Sequence, residues 1–194
     1  GQHQFDLANW AMDTEHTGPL SVEALALFPK SGLWNVHGDF MVKMEYENDL
    51  TVYANSETPV VIRYEGTEGW IEVFRGNYSA TDSDPITSQA RKVLNASNPN
   101  ILTSKIKDDE IHLYRSDNHH QNWLDCIKSR QQPITPVEVG HRACSVCLIS
   151  HIAMKLDRKL YWDPASEKFK NDDVANSMLS RPQRYPYGTD YIQI

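Results

Sequence analysis

His3 and Asp6 stand three residues apart in the opening run Gly1-Gln2-His3-Gln4-Phe5-Asp6-Leu7-Ala8-Asn9-Trp10-Ala11-Met12. At helical spacing, residues three apart share a face, so an imidazole and a carboxylate would lie side by side. An imidazole exchanges protons near neutral pH because its unperturbed pKa is about 6.5. Asp6 could hold His3 or a ligand hydroxyl, or could cap or pair locally. Trp34 follows Gly32 and precedes Asn35, which places it in a loop where its ring could stack on a ligand. Trp70 and Trp123 could do the same, but large aromatics are more often core. His37 comes where that loop enters a strand, a position that often carries ligand contacts. A satisfied turn histidine is the plainer reading of it. His119 and His120 stand at a helix start, facing either a ligand or solvent. Arg181 and Arg184 could reach anionic groups, or could pair with the chain's excess carboxylates.

These residues need elements to position them. Phe5, Ala8 and Met12 recur at helical spacing, so residues 1–12 read as a helix with one apolar side. Gly1 is a poor N-cap, as if the chain were cut just upstream. Leu20, Val22, Ala24, Ala26 and Phe28 alternate, as do Phe40, Val42, Met44 and Tyr46, which predicts strands over 20–28 and 37–46. Asn48-Asp49 reads as a hairpin turn before a strand at 50–54. Strands at 59–64 and 70–74 follow, so short turns join five strands in a largely antiparallel sheet. A helix is predicted from Asp82-Ser83-Asp84-Pro85 to Leu94, a loop over 95–99 and a short strand over 111–114. Ser116 or Asp117 would cap a helix to Arg130, with Trp123, Leu124 and Ile127 inward. Thr135-Pro136-Val137-Glu138 is a capping box with Pro at the first helical position. The helix it opens should reach Leu156 and press small residues (Val139, Ala143, Val146, Cys147, Ser150, Ala153) against the sheet. A strand over 159–162, a helix over 172–179 and an extended tail from Arg181 complete the chain. The result is an α+β arrangement, an open, largely antiparallel sheet with helices packed on one face. Tyr53, Tyr64, Trp70 and Phe74 would line the other face, and an exposed patch of that size usually finds a partner.

The formal charge is −7 and the pI about 5.6. Both argue against a general grip on nucleic acid or an anionic membrane. No apolar run is long enough to span a bilayer. Three cysteines make a disulfide framework unexpected. Cys144-x-x-Cys147 sits in an apolar helical run, where cysteine behaves as a small hydrophobe, and no second such pair completes a zinc site. Eight histidines without short ligand spacing do not make a metal site. Gly66-x-x-Gly69 lacks the G-x-G-x-x-G spacing and the following helix of a dinucleotide fingerprint.

Gly1-x-His3-x-x-Asp6-x-x-x-Trp10 resembles the motif that opens the C-terminal, substrate-binding domain of the glucose–fructose oxidoreductase / inositol dehydrogenase (Gfo/Idh/MocA) family. The runs Asn122-Trp123-Leu124-Asp125-Cys126-Ile127-Lys128-Ser129-Arg130 and Pro133-Ile134-x-Pro136-Val137-Glu138-Val139-Gly140-His141-Arg142 are similar to the same family. So are Leu33-Trp34-Asn35-Val36-His37, Gly66-Thr67-Glu68-Gly69-Trp70-Ile71 and Leu179-Ser180-Arg181-Pro182. Each is weak alone, but together, in the right order and spread from end to end, they are strong.

The resemblance implies an α+β domain like the C-terminal domain of glyceraldehyde-3-phosphate dehydrogenase, over residues 1–180 with a tail at 181–194. It implies that His3 does general acid/base work on a hydroxyl or carbonyl. Asp6, Trp34, His37 and His120 become candidate contacts for a sugar, cyclitol or polyol. NAD or NADP would be held mainly by a dinucleotide-binding domain, with a Lys in a Glu-Lys-Pro motif, upstream of Gly1; no cofactor and no metal are expected on this chain itself. The expected assembly is a homo-oligomer through the open sheet face, soluble, in the cytoplasm or periplasm of a bacterium. A reading of another class is a free-standing carbohydrate-binding or dimerisation module. Recruitment of the family chemistry to glycoside cleavage is a third.

Overall fold

The computed structural model describes residues 1–57, 61–74 and 94–189. In chain order the elements are α1 (Gln2–Ala11), β1 (Ser21–Ala26), β2 (Phe40–Glu45), β3 (Thr51–Asn55), β4 (Ile62–Gly66), β5 (Gly69–Val73), β6 (Leu94–Ala96), α2 (Pro99–Thr103), α3 (His119–Ser129), α4 (Val137–Leu156), β7 (Leu160–Asp163), β8 (Lys168–Phe169) and α5 (Asp173–Ser177). They divide into two compact units, one of Gly1–Asp13 and Glu57–His141, the other of Thr14–Ser56 and Arg142–Ile194.

The second unit is built on an antiparallel sheet in the order β3-β2-β1-β7-β8. Its alternation follows the sequence: Val22 and Ala24 pair with Met44 and Val42, and all four are buried. Period-2 side-chain direction puts them on one face. Asn48 and Asp49 take φ of 57° and 59°, the paired left-handed conformation that fits the right-handed twist of a hairpin. α4 covers the buried face. Val146, Ile149, Ser150, Ile152 and Ala153 are buried, and Ser150 Oγ lies 3.8 Å from Met44 Sδ. The same hydroxyl donates back to Val146 O at 2.7 Å, so the buried Ser150 hydroxyl is not stranded. Asp157 ends the helix with φ 49°. Beyond it, Trp162 and Phe169 meet edge to face at 4.9 Å. Asn176 bonds the backbone of Phe169 through both amide atoms, at 2.8 Å each, and so pins α5 to β8.

Glu45 gathers the strands of this unit. Its carboxylate accepts from Ser21 Oγ at 2.7 Å, Lys43 Nζ at 2.6 Å and Lys159 Nζ at 2.5 Å. Those donors, Lys159 first, hold its pKa down to about 2. Arg158 likewise pairs with Asp172, the N-cap of α5.

The first unit carries β4-β5-β6, α1, α2, α3 and the first turn of α4. Gly66 and Gly69 pair across the β4–β5 hairpin. Tyr64 Oη donates to Leu7 O at 3.0 Å and ties α1 to β4. Asn98 and Asn118 cap α2 and α3, each through a side-chain oxygen.

The structure amends several sequence expectations. The antiparallel strands are shared between two sheets, because pairing between distant segments leaves no local signature. Tyr53 is therefore in a different sheet from Tyr64 and Trp70, and these residues do not line one face. Residues 111–114 form no strand. The loop expected over 95–99 contains the end of β6 and the start of α2. The expected helix over 82–94 lies outside the described residues except for Leu94, which opens β6. Asn118, not Ser116 or Asp117, caps α3. Trp123, Leu124 and Ile127 are exposed, and Cys126 is the buried residue of that helix. Among the described residues no helix is long and apolar enough to cross a membrane.

Candidate functional site

His3 sits in the first turn of α1 and is exposed; Asp6 follows one turn on, half-buried. Gly1 O accepts from Gln4 N–H at 3.0 Å and Phe5 N–H at 3.1 Å, which starts the helix without a side-chain cap. Among the described residues no hydrogen bond or ion pair joins His3 to Asp6, so the imidazole is open to an incoming group. Gln2 Nε2 reaches Gly140 O at 3.5 Å and links this turn to the start of α4. His119 and His120 are exposed in the first turn of α3, where Asn118 Oδ1 accepts from Gln121 N–H at 3.0 Å. His3, Asp6 and His120 thus belong to the first unit, and Trp34 and His37 to the second.

Trp34 stands on an open loop, 79% exposed. His37 turns inward from the same loop. Its ring meets Phe40 edge-on at 5.1 Å, Phe28 at 6.0 Å and His151 at 5.4 Å. His37 Nδ1 is buried without a hydrogen-bond partner. His151, on α4, escaped the sequence reading because it lies in a nearly continuous apolar helical run. The available signal was its place beside Ser150, Ile152 and Ala153, which all turn inward. Its pKa is lowered, first by burial and then by Lys155, His37 and Arg181.

Two shallow grooves mark the second unit. One, of about 410 Å³, is lined by Arg158, Lys159, Tyr161, Lys170 and Asp172 among others. The other, of about 330 Å³, is lined by His16, Glu47, Arg142, Asp163 and Lys170 among others. Neither includes a residue predicted to bind ligand. Their cations are largely spoken for: Arg158 by Asp172, Lys159 by Glu45, and Arg142 by Pro164 O and Glu167.

Among the described residues no group of three His, Cys, Asp or Glu side chains is placed to hold a metal. The Cys147 thiol lies 3.6 Å from Ala143 O, and burial pushes its pKa up, as for a packed hydrophobe rather than a reactive thiolate. Gly66 and Gly69 face each other across a two-residue hairpin turn, which offers no helix N-terminus to a pyrophosphate. That hairpin therefore does not make a dinucleotide cradle.

Residues 1–189 match the family model of the oxidoreductase family, C-terminal alpha/beta domain (Gfo/Idh/MocA). The chain belongs to this family. Among solved structures it is similar to the aldose–aldose oxidoreductase from Caulobacter crescentus complexed with glycerol. That match has a TM-score of 0.56 at 18% identity and covers 83% of this chain and 45% of the other. It supports the α+β fold with antiparallel sheets. A UDP-N-acetylglucosamine 3-dehydrogenase from Acidithiobacillus ferrooxidans aligns with a TM-score of 0.48 at 13% identity, over 80% of this chain and 47% of that one. The chain spans less than half the length of either. No curated protein matches it in sequence.

Proposed function

We propose that this chain is the substrate-binding half of an NAD(P)-dependent oxidoreductase acting on a secondary alcohol or carbonyl of a sugar, cyclitol or polyol. The family match over residues 1–189 carries the reading, and the exposed His3, with no hydrogen bond or ion pair among the described residues, supports it. In this reading a dinucleotide-binding domain of the same polypeptide supplies NAD or NADP, which carries the hydride. His3 takes the proton from the substrate hydroxyl during oxidation and returns it during reduction. Asp6 orients that hydroxyl or the imidazole, and His120 of the same unit is a candidate contact for the rest of the substrate; Trp34 and His37 are candidate sugar contacts of the other unit, taken by itself.

The same domain would serve assembly. On the face of the five-stranded sheet away from α4, Leu25 and Met41 are cross-strand partners, and they and Tyr53 are 65, 54 and 66% exposed. This patch supports a homo-oligomer through the open sheet.

The catalytic assignment is tested by His3→Gln in the intact polypeptide, assayed with a panel of aldoses, cyclitols and polyols. Turnover should drop about 10²–10⁴-fold, the usual worth of a positioned acid/base group, with the thermal unfolding midpoint unchanged. Full turnover in the variant would remove His3 from the chemistry.

A further inference from the structure

The loop between β1 and β2 projects Leu33, Trp34 and Val36 into solvent, exposed by 98, 79 and 58%. From Pro29 to Gly38 every residue is exposed except His37. Two backbone bonds close the base of the loop: Leu27 N–H to Asp39 O at 2.9 Å, and Gly38 N–H to Leu27 O at 2.8 Å. Above that base, among the described residues, the loop is held by the contacts of the His37 ring. That ring lies 5.4 Å from the His151 ring on α4, tilted at 44°, with Phe28 and Phe40 around it. Phe28 also reaches His151, at 6.2 Å.

Phe28 and Phe40 meet these imidazoles edge to face, so their ring faces, which would attract a cation, are not stacked on them. Charging His151 in this setting costs desolvation and sets its charge among other cationic groups. The surroundings add no relief. Lys155, one turn on along α4, and Arg181 beyond α5 present further positive charge to His151. Phe28 and Phe40, from the two strand ends, are uncharged. Asp39, the carboxylate nearest His37 in sequence, accepts instead from Ser56 Oγ at 3.3 Å. The lowered pKa of His151, caused first by burial, agrees with this geometry.

We propose that His151 works a proton-operated latch on the His37 ring: neutral, it holds the 29–38 loop on α4, and protonated, it releases it. The latch concerns the loop itself and stands whether or not Trp34 touches a sugar. Where Trp34 does contact substrate, acid would weaken binding before it unfolds the protein.

The test is a ¹H–¹⁵N NMR titration of the 194-residue chain from about pH 7.5 to about pH 5, spanning the imidazole range. The His151 ring should titrate with a midpoint below its ordinary 6.5. The Gly32 and Gly38 amides and the Trp34 indole should shift with that same midpoint. In His151→Phe, which keeps a ring but takes no charge, those loop signals should lose the shift that follows the His151 midpoint. In His151→Lys they should stand at their acid positions from the start. β1 and β2 amides report in each variant that the sheet is intact, and His151→Gln replaces the Phe variant if that one fails to fold. Loop signals that ignore the His151 midpoint in the parent, or that keep the same shift at that midpoint in the uncharged variant, would overturn the latch.

Discussion

Gly69 sits at φ +137°, and a Cβ added there would lie 2.1 Å from Ser97 Oγ and 3.4 Å from Ile101 Cδ1. Ser97 Oγ accepts the Trp70 N–H at 3.0 Å, and Ser97 N–H donates to Trp70 O at 3.0 Å. One serine thus closes β5 onto the end of β6. Gly69→Ala meets two costs. Holding a non-glycine residue at this φ costs about 1–3 kcal/mol. Relieving the overlap means turning the Ser97 hydroxyl away, which loses its bond to Trp70, about 1 kcal/mol. The substitution should therefore destabilise by about 2–4 kcal/mol. Ser97→Ala alone loses only the bond, about 1 kcal/mol. The double variant keeps the backbone strain but cannot lose the bond twice, so it should fall short of the summed single costs by about 1 kcal/mol. Urea unfolding of the four proteins measures all of these. A Gly69→Ala protein within about 0.5 kcal/mol of its parent, or a double variant that is simply additive, would refute the reasoning.

Acid should weaken the fold through Glu45 and Asp172. Donors hold the Glu45 pKa at about 2 instead of 4.5, with Lys159 first. Arg158, then the Ala175 N–H, hold that of Asp172 at about 2 instead of 3.8. The folded chain binds fewer protons at these sites, so their stabilisation is complete above the ordinary values and fades as pH falls toward 2. Glu45→Gln should flatten part of that slope in urea midpoints measured across this range, and an unchanged slope would count against the Glu45 cluster. Ile149 is 2% exposed at the centre of the α4–sheet core. Ile149→Ala should cost about 2–5 kcal/mol in thermal or urea melts. Val137, 90% exposed on the first turn of the same helix, should tolerate Ala within about 0.5 kcal/mol; equal costs at the two positions would contradict the packing.

The hairpin of β1, β2 and β3 was legible in the sequence because one face is buried, so alternation in Val22, Ala24, Val42 and Met44 records burial directly. α4 was legible for a similar reason: a Pro-containing start and a run of small inward residues. α3 was half legible. Its apolar stripe is real, but a stripe says nothing about what covers it, and Trp123, Leu124 and Ile127 are exposed. The division into two sheets depends on pairings between distant segments, such as Ser21 with Tyr161. β6 and β8 are too short to carry a period. Of the candidate ligand residues, His37 was visible as a loop-to-strand histidine. Its companion His151 was not, since only the fold brings a helix position 114 residues onward, by sequence number, against that loop.

We propose that this chain is half of a dinucleotide-dependent oxidoreductase. The most direct measurement is the mass of the native polypeptide, joined to its quenching of NADH and NADPH fluorescence. The native chain should be roughly twice this length, since these residues span 45% of the aldose–aldose oxidoreductase. It should quench one of the two cofactors, while residues 1–194 alone quench neither. A native chain no longer than 194 residues that binds no dinucleotide would contradict the account and leave a carbohydrate-binding or assembly module in its place.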